Sequence, residues 1–405
     1  MSNMSKSQKF AWFAWAIASV FYAYQYILRV MPSIMLEDIT HQFHIDATVF
    51  GQVSGVYYIA YSLVHLPIGI LLDRFGPRKI MTGCILLTVI GLLPIVYAEQ
   101  WIYPILGRAL IGIGSSAAIL GTFKIIRMSF RESLFPRMLS LSVTIGLIGA
   151  IYGGEPVSYL CHVWGYKAIV EMFIVIGLIL AGVTYVIAPE VHSAPNTSIM
   201  HNVKTVITNG RVIGLCCFSG LMLGPLEGFS DVWGPAFLKQ VYGLDDTIAH
   251  SLPSMIFVGM CFGAPILSLI AEKTKGYLAV IITSGLIMLL TFTALVLQIL
   301  SISSITLSFL IVGVCCAYQI LAIYKASTYV PEQLAGLTTA IANMIIMSFG
   351  YGFHASIGFV IHYFGGTKVN QAFIYGISVI PVTLALGVLG FLLIACQERF
   401  FMSKK

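Results

Sequence analysis

The sequence predicts an all-α membrane protein of twelve transmembrane helices arranged as two pseudo-symmetric six-helix bundles. Three observations predict it. The 405 residues are 58% hydrophobic and only 9% charged, against about 25% charged in an ordinary soluble domain. The apolar residues gather into twelve long runs, each near the roughly 20 residues that a helix needs to cross about 30 Å of hydrocarbon. Two sets of six runs are separated by the most polar long connection in the chain, APEVHSAPNTSIMHNVKTVITNG at 188–210.

The first run, 11–32, follows Lys6 and Lys9 and is too long for the apolar part of a cleaved signal, so a retained helix is expected. The second and third, 49–72 and 80–98, flank the polar island GILLDRFGPRK at Gly69–Lys79. Asp73, Arg74, Arg78 and Lys79 cannot lie together in hydrocarbon, and Gly76-Pro77 interrupts a helix, so a water-facing turn belongs here. Runs at 102–126, 138–161 and 167–188 complete the first half; 211–233, 248–271, 277–299, 303–326, 334–362 and 371–396 make the second. The expected organisation is an N-terminal bundle at 1–188, a linker at 189–210 and a C-terminal bundle at 211–405.

With both termini on one side, fifteen Lys and Arg collect there, from Lys6 to Lys405, and only Lys167, Lys239 and Lys368 fall on the other. The positive-inside bias makes the first side cytoplasmic. The halves also echo each other. Gly112 stands twelve residues before Lys124 and Gly313 twelve before Lys325; Asp46-Ala47-Thr48 matches Asp245-Asp246-Thr247; His162-x-x-Gly165 matches His362-x-x-Gly365. The matches keep chain order, as in two related bundles with a transport path between them.

Other function classes find little support. The eight cysteines never stand at a C-x-x-C spacing and suit small buried hydrophobes. There is no basic groove interleaved with aromatics for nucleic acid, no phosphate-binding glycine loop, and no G-x-S-x-G or H-E-x-x-H constellation. No cofactor and no enzymatic activity are expected. His41 and His44, beside Glu37, Asp38 and Asp46, lack a partner that would fix a ligand set, so no metal site is expected either.

Gly69, Leu71, Asp73, Arg74, Gly76, Arg78 and Lys79 fit a G-x-L-x-D-R-x-G-R-R/K-type signature, with Pro77 where a basic residue is usual. Arg108, Gly112 and Gly114 fit R-x-x-x-G-x-G in the fourth run. On these motifs, the mid-chain linker and the degenerate second copy, the chain resembles the major facilitator superfamily of secondary transporters over essentially its whole length. Within that superfamily, FYAYQYILRVMPSIM and the stretch FGQVSGVYYIAYSLVHLPIGILLDRFGPRK are similar to bacterial relatives of the lysosomal dipeptide carrier branch. The fifth run, GLIGAIYGGEP, has Gly153 and Gly154 but lacks the central Gly-Pro of the drug antiporters.

Charges inside a bilayer cost several kcal/mol unless paired, wet or near an end, so each needs a reason. Tyr22, Gln25, Tyr26 and Arg29 lie at i, i+3, i+4 and i+7, on one helix face. Arg29, Arg108, Glu155, Glu227 and Asp231 are expected at comparable depth, as a substrate-facing or proton-accepting network or as a fixed structural ion-pair cluster. Lys124 and Lys325 either face one cavity from opposite halves or snorkel to the interface. Tyr318, Gln319 and Asn343 offer neutral hydrogen bonds nearer the midplane, to a solute or between helices. His65 and His354 suit hydrogen-bonded packing positions.

The expected substrate-binding set is therefore Tyr22, Gln25, Tyr26, Arg29, Lys124, Glu155, Glu227, Tyr318, Gln319, Lys325 and Asn343. Glu155 is the proton-coupling candidate. Gly69, Asp73, Arg74, Gly76, Arg78 and Arg108 are the expected gating residues, an inner-side clasp away from the substrate. The expected function is secondary active or facilitative transport of a small polar solute (dipeptide, amino acid or organic acid) by alternating access. A proton is the candidate coupling ion, and the setting is a monomer in a bacterial inner membrane. The alternatives are multidrug or siderophore efflux by proton antiport and, in a different class, a non-transporting sensor or scaffold.

Overall fold

A computed structural model of the chain describes residues 6–131, 134–190, 199–331 and 334–402. Part of the expected linker, 191–198, lies outside the described residues, as do Lys404 and Lys405. Among the described residues the regular structure is helical throughout, without strands. Among the described residues, eleven helical stretches are long and apolar enough to cross a membrane. One of them, α3 (Ala47–Tyr97), runs for 51 residues, more than twice what a single crossing needs. It is interrupted at Gly76, whose φ of 80° and ψ of 163° are non-helical. A residue with a Cβ is strained there, and Pro77 then restarts the helix without an N–H to leave unpaired.

The chain divides into two compact units, Met1–Ile45 with Val56–Thr197, and Asp46–Gly55 with Ser198–Lys405. In the first, α1 (Lys6–Val30) packs against α4 (Ile102–Ser129), α5 (Phe135–Gly153) and α7 (Tyr166–Ile187). Between α1 and α5 the approach is set by small residues: a Cβ on Gly149 would come within 2.3 Å of the Ala23 carbonyl oxygen. Lipid tails are as apolar as side chains, so close packing and interhelical hydrogen bonds hold such helices together rather than apolar burial from water. Trp15 Nε1 donates to Ser142 Oγ at 2.8 Å and Tyr24 Oη to the Phe173 carbonyl at 2.8 Å, tying α1 to α5 and α7. Outside the spans, the short α2 (Leu36–Phe43) ends on His44 in the left-handed conformation.

The fifth apolar run is two helices. α5 stops at Gly153 and α6 (Glu155–Trp164) begins after Gly154, whose ψ of −113° is not helical; Pro156 at the start of α6 cannot donate to the preceding turn.

In the second unit, α8 (Ile199–Ile207) precedes α9 (Gly210–Leu221), whose first turn is capped by Asn209 accepting from the Arg211 and Val212 amides. α9 passes into a π-helical segment, Gly224–Trp233, and then α10 (Gly234–Tyr242). Pro225 and Pro235 bracket this segment, each removing a backbone donor, so the ordinary hydrogen-bond ladder cannot run through it. Phe229 pins it from inside, with ring centroids 5.2 Å from Phe292, 5.3 Å from Phe309 and 6.0 Å from Phe237. Ser230 Oγ adds a 2.7 Å hydrogen bond to the Pro253 carbonyl of α11 (Asp246–Thr274).

α12 (Tyr277–Val296), α13 (Ile302–Cys316), α14 (Tyr318–Ser327), α15 (Ala335–Tyr363) and α16 (Asn370–Met402) complete the unit. The tenth apolar run is broken at Ala317, between α13 and α14. The repeat noticed in the sequence has a structural counterpart. A Cβ on Gly112 would strike the Tyr57 carbonyl oxygen at 2.3 Å, and one on Gly313 the Ile256 carbonyl oxygen at 2.1 Å. Each repeat glycine thus brings its helix onto the backbone of the second or the eighth span.

Candidate functional site

In the first unit the sequence-predicted face of α1 meets tyrosines from the first part of α3. Tyr22 and Tyr26 pack edge to face with centroids 5.1 Å apart, and Gln25 Oε1 accepts a 2.7 Å hydrogen bond from Tyr57 Oη. The Arg29 guanidinium lies 5.0 Å from the Tyr26 ring centroid and 5.3 Å from that of Tyr58. All four α1 side chains are buried, with Arg29 only 6% exposed. Arg108 is buried beside them, its carbon Cζ 5.0 Å over the Tyr57 ring. It donates to the Leu28 carbonyl at 2.7 Å and to that of Arg29 at 3.5 Å. Arg108 therefore braces the C-terminal end of α1, where the carbonyls have no intrahelical donor and the helix dipole is negative.

Glu155 opens the first turn of α6 and is half-buried; its side chain makes no hydrogen bond or ion pair among the described residues, so the structure does not bring it onto Arg29 or Arg108.

Tyr57, Tyr58 and Tyr61 are the residues that the sequence reading passed over. They stand with His65 at helical spacing, Tyr61 tilted against the His65 ring at 5.1 Å, and this aromatic period on an otherwise aliphatic span is the signal that could have found them.

The second unit holds its own polar group. Glu227 and Asp231 sit on the π-helical segment and are fully buried. The wider turn keeps residues four and five apart on one side, so the two carboxylates stay together despite the change of helix type. Tyr318, at the break in the tenth span, donates to the Ser219 carbonyl near the end of α9 at 2.6 Å, and Gln319 beside it is 6% exposed. Asn343 lies half-buried within α15. Broken or widened helices thus flank the polar groups, as where backbone departs from the helix to line a cavity within protein.

The two repeat-related lysines are engaged elsewhere. Lys124 Nζ is 2.7 Å from Asp73 Oδ1, and Lys325 Nζ is 2.8 Å from Glu398 Oε1. Glu398 also accepts from Tyr329 Oη at 2.7 Å, and burial together with this carboxylate pushes the Tyr329 phenol up. The other expected gating residues stay near the Gly76 break. Arg74 lies 5.3 Å over the Phe75 ring; Arg78 donates to the Ala188 carbonyl at 2.8 Å and pairs with Glu190 at 3.1 Å; Gly69 has open space around it. The His41 and His44 rings are 6.2 Å apart, and among the described residues no three His, Cys, Asp or Glu side chains converge as metal ligands.

The helical architecture has known counterparts. It is similar to a solved bacterial homologue of the human lysosomal transporter Spinster, with a TM-score of 0.71 at 14% identity over 96% of this chain and 98% of that one. In sequence the chain is 29% identical to an uncharacterized transporter of Bacillus subtilis, covering 58% of each chain. It is 22% identical to a nitrite extrusion protein of the same organism, covering 80% of each. Residues 13–355 match the family model described as Major Facilitator Superfamily. With that match running through α1, the Gly76 break and the broken tenth span, the chain belongs to the Major Facilitator Superfamily of transporters.

Proposed function

We propose that this chain carries a small anionic or zwitterionic solute across a bacterial inner membrane by alternating access, and that Arg29 recognises the solute's carboxylate. The observation that carries the proposal is the buried Arg29 guanidinium held between the rings of Tyr26 and Tyr58. A permanent cation at that burial is expensive in a membrane and is characteristic of substrate pathways. Guanidinium stacked on aromatic faces is pre-organised to present its edge to a carboxylate in bidentate fashion. The nitrite extrusion relative, named for a small oxyanion, supports an anionic cargo.

The expected organisation fits this role. Dividing α3 at Gly76 makes twelve spans, six in 1–188 and six in 211–405, with both termini cytoplasmic and the chain working as a monomer. Tyr22, Gln25, Tyr26, Tyr318, Gln319 and Asn343 supply neutral contacts for a dipeptide, amino acid or organic acid. Glu227 is a further candidate for substrate contact. The proton is the coupling ion, accepted by Glu155.

Uptake into proteoliposomes tests this directly. A panel of dipeptides, amino acids, organic acids, nitrite and cationic drugs should give saturable flux for carboxylate-bearing solutes. Arg29→Lys keeps the charge but loses the planar fork, so KM should rise about ten-fold or more, the loss of about 1.5–3 kcal/mol for a charge-assisted hydrogen bond. Glu155→Gln should remove the dependence of uptake on external pH. Flux for the drugs alone would replace carboxylate transport with efflux, and no flux for any solute would favour a sensor or scaffold.

A further inference from the structure

Tyr57, on the first part of α3, is enclosed at 1% exposure, and its ring is held on several sides. The Arg108 carbon Cζ lies 5.0 Å over it, Tyr58 meets it edge to face at 5.2 Å, and Tyr61 stacks at 6.0 Å. Its backbone is pressed by α4, where a Cβ on Gly112 would strike the Tyr57 carbonyl oxygen. The phenol oxygen therefore has a fixed place.

From that place Tyr57 Oη donates a 2.7 Å hydrogen bond to Gln25 Oε1 on α1. An amide has an acceptor end and a donor end, and this bond decides which end faces α3. Gln25 Nε2, with its two N–H groups, is turned the other way and makes no hydrogen bond among the described residues. Gln25 is only 3% exposed, and a buried amide donor left without an acceptor is costly. It shares its helix face with Tyr22, Tyr26 and Arg29.

We infer that Tyr57 is a positioning residue for transport, holding the Gln25 amide so that Nε2 meets an acceptor oxygen of the solute, a carboxylate or a peptide carbonyl. The inference rests on reading the Tyr22, Gln25, Tyr26 and Arg29 face of α1 as the substrate face. Without the proton from Tyr57 the amide is free to turn over, and its acceptor end then faces the solute oxygen and repels it. A solute ammonium gains nothing from the oriented amide, because Nε2 has no lone pair to offer it. Tyr57 itself touches no solute. A plain tie between α1 and α3 would act on stability instead.

A double-mutant cycle on uptake by the full chain in proteoliposomes tests this, with succinate, alanylalanine and alanine as probes. Tyr57→Phe should raise KM about five-fold with Vmax near wild type, the ~1 kcal/mol of one neutral hydrogen bond. Gln25→Leu should raise KM at least as much. Adding Tyr57→Phe to Gln25→Leu should change KM no further, since Tyr57 acts through that amide. Where Gln25→Leu fails to fold, Gln25→Met, of similar length and without donors, takes its place. A second five-fold rise in the Gln25-substituted background would overturn the positioning role, as would a lowered melting temperature with unchanged KM for Tyr57→Phe. A KM raised by Tyr57→Phe but unmoved by Arg29→Lys would remove Arg29 from the solute and leave the amide contact standing; the reverse would overturn the amide contact alone. No saturable uptake of any probe would overturn both.

Discussion

Arg108 places one guanidinium nitrogen 2.7 Å from the Leu28 carbonyl and another 3.5 Å from that of Arg29, at the end of α1. Arg29 itself lies between two tyrosine rings. Two buried arginines in one unit, both expected at similar depth from the sequence, thus differ in one respect: each lies over a tyrosine ring, and Arg108 also donates to backbone carbonyls. Replacing each by lysine should separate these roles. Arg108→Lys should destabilise the protein by about 2–3 kcal/mol, because a lysine reaches one carbonyl at best and leaves the helix end short of donors. Arg29→Lys should leave the melting temperature near that of the wild type while raising KM. Thermal melting in detergent, read beside uptake, checks the pair; a stable Arg108→Lys protein with impaired transport would make Arg108 a functional residue instead. Residue type was legible in the sequence. The partners were not, because they depend on Tyr57 and Tyr58 arriving from a different span.

At the scale of elements, the spans depart from regular helix where the polar groups gather. α5 gives way to α6 at Gly154 and α13 to α14 at Ala317, while the seventh span widens into the π-helical segment carrying Glu227 and Asp231. Gly76-Pro77 made the break in α3 visible in advance, whereas the breaks at Gly154 and Ala317 fall inside runs that the sequence presents as single spans. The π-helical segment was not visible, since Pro225 and Pro235 are equally compatible with a kink, and the outcome rests on Phe229 packing among Phe292, Phe309 and Phe237. Regular stretches are governed instead by close approach. Gly149→Leu should force α5 away from α1, because the new side chain meets the Ala23 backbone, and should lower stability by about 1–3 kcal/mol. Gly182→Ala on α7, where nothing lies within 4 Å, should leave the melting temperature unchanged. Equal melting of the two variants would show that α1 and α5 tolerate separation.

For the whole molecule, the polar island at Gly69–Lys79 is where the tertiary structure assigns partners to the exposed charges. Asp73 is paired with Lys124 at 2.7 Å, and at 65% exposure it contributes little to stability, about 0–1 kcal/mol. A transport role therefore has to be sought in rates. Asp73→Asn and Lys124→Gln should each slow uptake several-fold without changing ligand affinity, and the double variant should be no slower than either alone if the two act as one link. Additive slowing, measured as initial uptake rates beside binding, would separate them. In the second half the repeat-related Lys325 takes Glu398 from α16, so the repeat extends to helix packing at Gly112 and Gly313 while the two lysines pair with acids from different elements. The sequence by itself determined the membrane fold, because apolar runs of spanning length permit no soluble arrangement and the glycine and proline punctuation limits where helices can end. Only the tertiary structure decided which charges meet. A side chain's partner lies on another helix, and its distance follows from packing across spans far apart in the chain.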